Sequence, residues 1–171
     1  MPYFQSIHCD VFAPRIGTGN PLAVILDADS LSAEKMQTIA SWMNLAETTF
    51  IVKPSSAEAD YQVRIFTTQK EIAFAGHPSI GSAHVLLSQG LQPKTAGLLI
   101  QECAAGLLPI RYQPDQQNNT LSVRVPSSKL VRYADNTDTL FTTILASSTF
   151  TDVTPALVEG EIGRASCRER V

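Results

Sequence analysis

The sequence predicts an α+β protein in which a mixed β-sheet encloses one apolar helix. Short runs with the alternation typical of strands recur over the first 125 residues, whereas only two segments there carry a helical period. The second helical segment is apolar on most sides, which indicates that sheet surrounds it. Strands and helices do not alternate regularly, so a doubly wound parallel sheet is not supported.

Composition narrows the class of protein. Hydrophobic residues make up 44% of the 171 positions and charged residues 17%, which predicts a packed core. The 13 basic and 16 acidic residues leave a net charge of −3, and the basic ones are scattered, so no nucleic-acid partner is expected. No apolar run reaches the roughly 18 residues of a membrane span, and no signal peptide is recognisable, so no membrane partner is expected. Three widely spaced cysteines indicate no disulfide framework, and a cytoplasmic protein is expected.

The predicted elements begin with two strands and a helix. Tyr3–Phe12 alternates as a strand, and Leu22–Leu26 is a short apolar strand after a loop rich in turn residues. Ser32 is a good N-cap for a helix that ends near Asn44. Its apolar stripe consists of Met36, Ile39, Ala40 and Met43. Trp42 is predicted to be a packing residue.

A second helix is predicted over residues 78–89. Pro78 suits the first helical position, and Gly90 suits the position just after the C-terminus. The strands predicted before and after it are Thr48–Val52, Tyr61–Thr67, Leu98–Glu102, Leu107–Tyr112 and Leu121–Val125.

The character of the sequence changes after Pro126. A short helix is predicted at Asp138–Leu145 and a strand beginning at Thr154, without a complete second unit. Residues 161–171 resemble translated vector sequence and are set aside from the fold prediction. The expected division is a first domain over 1–125, a crossover and incomplete second domain over 126–160, and this tail.

His77 is the first candidate for chemistry, because it stands where the second helix begins. Backbone N–H groups of a first helical turn lack intrahelical partners and attract anions. A carboxylate bound there would lie close to His77, and Gly76 would leave its approach open. From spacing alone, an equally good interpretation is that His77 merely caps the helix.

Glu47 is the second candidate, in the segment Asn44–Phe50 between a helix and a strand. A carboxylate facing inward among apolar neighbours would lose solvation, and its pKa would rise toward values useful in acid/base catalysis. A solvated glutamate on a connection is the more common outcome for a lone residue of this type.

No metal site or other cofactor is predicted. Cys9 points away from His8 and Asp10 if all three lie in one strand, because neighbouring side chains alternate between faces. His77 and His84 lie two helical turns apart, about 10 Å, which is too far for shared coordination of one zinc ion.

Several motifs in a constant order resemble one family. They are Asp10-Val-Phe12, Gly19-Asn-Pro-Leu-Ala-Val24, Met36-Gln37, Ile39-Ala40, Glu47-Thr-Thr-Phe50, Ile65-Phe-Thr67, Glu71-Ile72 and Ala75-Gly-His-Pro78 with Gly81. Together they resemble the PhzF-like proteins of phenazine biosynthesis. This resemblance implies the diaminopimelate epimerase fold, in which each of two halves is a mixed sheet rolled into a barrel around a central helix. It also implies a cofactor-independent isomerase that moves a proton on a small carboxylate-bearing metabolite, and a possible homodimer.

The same resemblance assigns roles to individual residues. Glu47 corresponds to the acid/base, and His77 to a histidine that assists binding and proton handling. Gly76, His77 and Pro78 at the helix start would hold the substrate carboxylate, and Asn20 would line the same cleft.

The sequence departs from the family in its second half. An acidic motif expected there, similar to Asp-Pro-x-Thr-Gly-Ser, is not found, so the chain is expected to be an inactive N-terminal half of a longer isomerase. The alternative is a non-catalytic module that binds a small molecule or a partner. A serine hydrolase is poorly supported, because no Gly-x-Ser-x-Gly motif occurs. The substrate is not predicted.

Overall fold

A computed structural model describes residues 4–113 and 120–124 with their side chains, and the backbone of residues 129–133, 156–160 and 163–166. The chain forms two units, Met1–Pro126 and Ser127–Val171. The predicted helix at Asp138–Leu145 lies outside the described residues.

The described residues of the first unit contain two α-helices and eight strands, which confirms the α+β prediction. In chain order its elements are β1 (Ser6–Val11), β2 (Asn20–Ile25), a 3₁₀ turn (Ala28–Ser30), α1 (Ala33–Met43), β3 (Glu47–Val52), β4 (Tyr61–Phe66), β5 (Glu71–Ile72), α2 (Gly76–Ser88), β6 (Leu98–Cys103), β7 (Gly106–Gln113) and β8 (Thr120–Val123).

One mixed sheet contains all eight of these strands. Its order is β1-β2-β3-β4-β6-β7-β8, with β5 paired to β4. The pairs β2–β3 and β4–β6 are parallel, and the other pairs are antiparallel. Helix α2 packs against both end strands of this order, β1 and β8, and also against β2, β3 and β4. The sheet is therefore rolled around α2, as the resemblance implied.

Small residues allow α2 to lie this close to the sheet. Ser79, Ser82 and Ala83 are fully buried on it. A Cβ atom at Gly81 would lie 2.6 Å from Leu22 Cδ2 and 2.8 Å from Val11 Cγ2. A larger side chain would push the helix away from β1 and β2, so the glycine sets their separation.

Helix α1 covers the opposite face of the sheet. Ser32 caps it by accepting a hydrogen bond from the Lys35 amide, as the sequence predicted. Met36 and Ala40 are buried in a second apolar cluster with Phe50 and Phe66. The prediction for Trp42 was wrong: this residue lies outside the apolar stripe, and 78% of it is exposed.

Helix α2 begins two residues earlier than the sequence predicted. Ala75 is the N-cap residue, with an extended backbone, and the Ser79 amide donates to the Ala75 carbonyl. Pro78 is therefore the third helical residue. Its missing N–H costs nothing there, because no N–H of the first turn has an intrahelical acceptor. This shift places His77 inside the first turn.

The described part of the second unit is a three-stranded antiparallel sheet. Its strands are β9 (Lys129–Tyr133), β10 (Ala156–Gly160) and β11 (Gly163–Ser166), in the order β11-β10-β9. The segment set aside in the sequence prediction, residues 161–171, thus contributes one strand. Within the part of the chain that the structure describes, no helix is long and apolar enough to cross a membrane.

Candidate active site

Three of the residues singled out in the sequence meet at the N-terminal end of α2. Asn20 is the first residue of β2, Glu47 the first of β3, and His77 lies in the first turn of α2. Leu22 pairs with Glu47 in the parallel β2–β3 register, so the two strands start at the same end of the sheet. Residues that alternate with Asn20 and Glu47, such as Val24 and Ile51, belong to the core around α2. The Asn20 and Glu47 side chains therefore point toward the helix.

The closest polar contact of this site joins Glu47 and His77. The distance from His77 Nε2 to Glu47 Oε2 is 3.3 Å, and the two side chains are only 11% and 15% exposed. Burial lowers the pKa of His77 to about 4 and raises the pKa of Glu47 above its usual value. The imidazole is consequently neutral at pH 7, and the contact is not an ion pair at that pH.

Neither atom of this contact completes a hydrogen bond. Glu47 Oε2 and His77 Nε2 are buried and have no hydrogen-bond partner among the described residues, because their distance is short but their alignment is poor. Leaving a buried polar group unsatisfied costs about 1–3 kcal/mol. A fold that retains two such atoms side by side maintains them at a cost to its stability, as is typical of functional sites.

Asn20 contacts the other side of the same imidazole. Its Nδ2 lies 3.1 Å from His77 Nδ1. The preceding Gly19 lets the chain lie close to β1 and the residues after it, because a Cβ there would lie 2.6 Å from Asp10 Oδ1 and 2.8 Å from the Ala13 Cβ. Asn20 therefore contacts the edge of the His77 ring opposite Glu47.

Gly76 and Pro78, also predicted at the site, differ in what they offer a ligand. An added Cβ at Gly76 would meet no atom within 4 Å, and the Gly76 backbone has no positive φ. Within residues 4–113 and 120–124, the backbone amides of Gly76 and His77 have no hydrogen-bond acceptor. Pro78 is buried and has no N–H to donate. Two backbone donors therefore lack an acceptor among the described residues at the positive end of the helix dipole, and the space beside Gly76 is open.

A chain of buried hydrogen bonds behind α2 was missed by the sequence analysis. The Tyr61 hydroxyl donates to Gln101 Oε1, Gln101 Nε2 donates to Ser79 Oγ, and Ser79 Oγ donates to the Ala75 carbonyl. Gln101 is completely buried, which strengthens these bonds and makes their loss expensive. The chain ties the first turn of α2 to β4 and β6. The alternation of β6 places Gln101 on the inward face, but its partners are not readable from the sequence.

A large cavity in the first unit does not coincide with this polar cluster. It measures about 630 Å³ and is lined by Cys9, Asp10, Val11, Phe12, Ala13, Pro14, Ile80, Gly81, His84 and Leu121. None of Asn20, Glu47 or His77 borders it. Among its lining residues, Asp10 already accepts hydrogen bonds at Oδ2 from the Gly17 and Thr18 amides. In the described residues no group of three potential metal ligands occurs. The chemistry therefore favours the α2 terminus over the larger cavity.

Comparisons with known proteins agree with the resemblance drawn from the motifs. Antisense-enhancing sequence 1 of Schizosaccharomyces pombe is 42% identical over 127 residues, which are 74% of this chain and 43% of that protein. Trans-2,3-dihydro-3-hydroxyanthranilate isomerase of Pseudomonas chlororaphis is 52% identical over 77 residues, 45% of this chain and 27% of that protein.

A solved structure of a PhzF family phenazine biosynthesis protein from Bacillus anthracis superimposes with a TM-score of 0.70 at 28% identity. It covers 90% of this chain and 51% of that one. This chain therefore spans about half or less of the length of these relatives. The family model described as "Phenazine biosynthesis-like protein" (PhzC-PhzF) matches residues 9–163. With most of its length matched, the chain belongs to the PhzC-PhzF family of phenazine biosynthesis-like proteins.

Proposed function

We propose that this chain carries one side of the active site of a PhzF-like isomerase that needs no cofactor. The reaction is acid/base proton transfer on a small metabolite that bears a carboxylate. The observation that supports it most directly is the buried pair of unsatisfied atoms, Glu47 Oε2 and His77 Nε2.

Glu47 is the group that moves the proton in this proposal. Its carboxylate takes a proton from a substrate carbon, which leaves a conjugated carbanion, and the resulting carboxylic acid returns the proton to another carbon. No atom is gained or lost by the substrate. Burial raises the pKa of Glu47, which makes the carboxylate a better base near neutral pH. His77 is neutral and donates a hydrogen bond from Nε2 to the substrate or to Glu47.

The first turn of α2 binds the substrate carboxylate. The amides of Gly76 and His77 supply two donors, and the space beside Gly76 admits the anion. The relative named as trans-2,3-dihydro-3-hydroxyanthranilate isomerase acts on a compound that carries such a carboxylate, which supports this substrate class.

We infer that further residues of the site come from the part of the relatives' length that this chain does not match, since it covers 43% and 51% of two of them. We therefore expect no turnover from the 171 residues alone and turnover from the longer protein, which acts as a homodimer in the cytoplasm.

Proton exchange tests the proposal. The full-length protein is incubated with trans-2,3-dihydro-3-hydroxyanthranilate in deuterated water, and deuterium on substrate carbon is measured by mass spectrometry. Glu47→Gln keeps the shape of the side chain but cannot shuttle a proton, so exchange should fall by about 10²–10⁴-fold. Glu58→Gln, at an exposed position, is the matched control and should exchange at the wild-type rate.

A non-catalytic binding module is the second candidate, and it is favoured by the limited share of its relatives that this chain spans. If the protein is a binding module, the full-length protein should bind the carboxylate compound saturably, and no deuterium should appear on carbon of that compound. Near wild-type exchange by Glu47→Gln would remove Glu47 from the mechanism.

A further inference from the structure

The hydrogen bond between Asn20 and His77 carries information about where the imidazole proton lies. The Asn20 side chain presents Nδ2, which only donates, at 3.1 Å from His77 Nδ1. His77 Nδ1 is therefore an acceptor and carries no proton. A neutral imidazole has one N–H, so this proton must be on Nε2.

The opposite edge of the ring agrees with this assignment when Glu47 is ionised. His77 Nε2 faces Glu47 Oε2 at 3.3 Å, and an ionised carboxylate only accepts hydrogen bonds. A bare Nε2 would place two buried acceptors against each other. With the proton on Nε2, the imidazole turns an N–H rather than a second acceptor toward the carboxylate, although the two atoms are not aligned for a hydrogen bond. Asn20 then satisfies the lone pair on Nδ1.

The reversed arrangement has a chemical consequence. If the Asn20 amide turned and its oxygen accepted a hydrogen bond from Nδ1–H, Nε2 would become an acceptor, and Glu47 would have to be protonated to donate to it. Glu47 would then no longer be a base. The orientation of one amide thus determines whether the carboxylate beside His77 is available to remove a proton.

The backbone holds Asn20 rigidly enough for this purpose. It pairs with Val11 at the end of the β1–β2 ladder. Gly19 before it is packed against β1, and Pro21 after it restricts Asn20 to extended conformations. On the other side, Gly81 fixes the distance between α2 and β2.

We propose that Asn20 is a positioning residue that holds neutral His77 with its proton on Nε2, directed toward Glu47 and the substrate. This role differs from direct substrate contact. It rests on the proposed function only for its catalytic consequence, because the tautomer itself is a property of the protein without substrate.

Nitrogen-15 NMR of the 171-residue chain measures the tautomer directly at neutral pH. His77 should show a protonated Nε2 and an unprotonated Nδ1. In Asn20→Asp the new carboxylate accepts a hydrogen bond from a protonated Nδ1, so the tautomer should reverse and the pKa of His77 should rise. The resonances of His8 and His84, the other two histidines, are internal controls and should not change.

A protonated Nδ1 in the wild type would overturn the inference, as would an unchanged His77 spectrum in a folded Asn20→Asp variant. The wild-type measurement stands even if the variant does not fold.

Catalysis is tested separately in the full-length protein. Asn20→Ala should lower kcat about 10-fold, the lower end of what losing an orienting partner costs at metal-ligating histidines, with KM changed less than kcat. An unchanged kcat would overturn the positioning role. If the wild type shows the expected tautomer but no isomerase activity, the tautomer assignment is supported and the proposed function is contradicted.

Discussion

Replacing Gly81 by alanine tests the close packing that brings α2 to the site. Alanine is the better helix former by about 1 kcal/mol, so helix propensity alone predicts a more stable protein. The structure predicts the opposite. The new methyl group would lie 2.6 Å from Leu22 Cδ2, 2.8 Å from Val11 Cγ2 and 3.2 Å from Cys9 Sγ. Leu22 is fully buried, so its methyl group has no free space to enter.

The size of the effect follows from these two opposing terms. Overpacking a core by one methylene costs about 1–3 kcal/mol, and two contacts below 3.0 Å place Gly81 toward the upper end. After the gain in propensity is subtracted, we expect a loss of about 1–2 kcal/mol in the free energy of unfolding. With a urea m-value of about 2 kcal/mol per molar, the urea concentration at the midpoint of unfolding should fall by roughly 0.5–1 M.

The matched control lies in the same helix. Gly76→Ala adds the same methyl group where no atom lies within 4 Å, and it should raise stability by about 0.5 kcal/mol. Far-UV circular dichroism should follow the unfolding, because the single tryptophan, Trp42, is already 78% exposed in the folded protein. A Gly81→Ala midpoint at or above that of the wild type would refute the packing argument.

Two further predictions concern buried polar groups. Thr48 Oγ1 is buried without a partner in the described residues, so Thr48→Val should be neutral or stabilising by about 1 kcal/mol in urea unfolding. Thr49→Val, at the neighbouring position, is the control and should cost about 1–3 kcal/mol. It leaves the buried Ser82 hydroxyl, which donates to Thr49 Oγ1 at 2.9 Å, without its acceptor. Equal effects of the two substitutions on stability would contradict both assignments. The pKa of His77 is about 4 in the folded protein and 6.5 in the unfolded chain. Between these pH values the unfolded chain therefore binds one more proton than the folded protein. The free energy of unfolding should consequently rise with pH across this window, by at most about 3 kcal/mol. The raised pKa of Glu47 acts in the opposite sense: above pH 4.5 the folded state holds more protons than the unfolded chain, so this contribution to stability falls as the pH rises. We expect the larger shift of His77 to dominate. Urea unfolding of the wild type and of His77→Gln, measured from pH 4 to 7, isolates the contribution of this histidine to the pH dependence of stability. A difference in stability between the two proteins that does not change with pH would contradict the lowered pKa of His77.

Local features of the chain were predictable because their causes are local. Ser32 caps α1, and the stripe that includes Met36 and Ala40 is buried, since an N-cap and a helical period depend on residues a few positions apart. The enclosed position of α2 followed from its composition. The start of α2 was missed by two residues because Pro78 is compatible with more than one position of a first turn.

Tertiary structure alone decided the chemistry that this end of α2 supports. Glu47 and His77 are thirty residues apart in sequence, and Asn20 and His77 are 57 apart. Their contacts depend on the parallel pairing of β2 with β3 and on the depth at which Gly81 lets α2 settle. The residue types marked Glu47 and His77 as candidates in the sequence. The neutral imidazole, the raised carboxylate pKa and the role of the Asn20 amide arise from burial and distance, which no local pattern specifies.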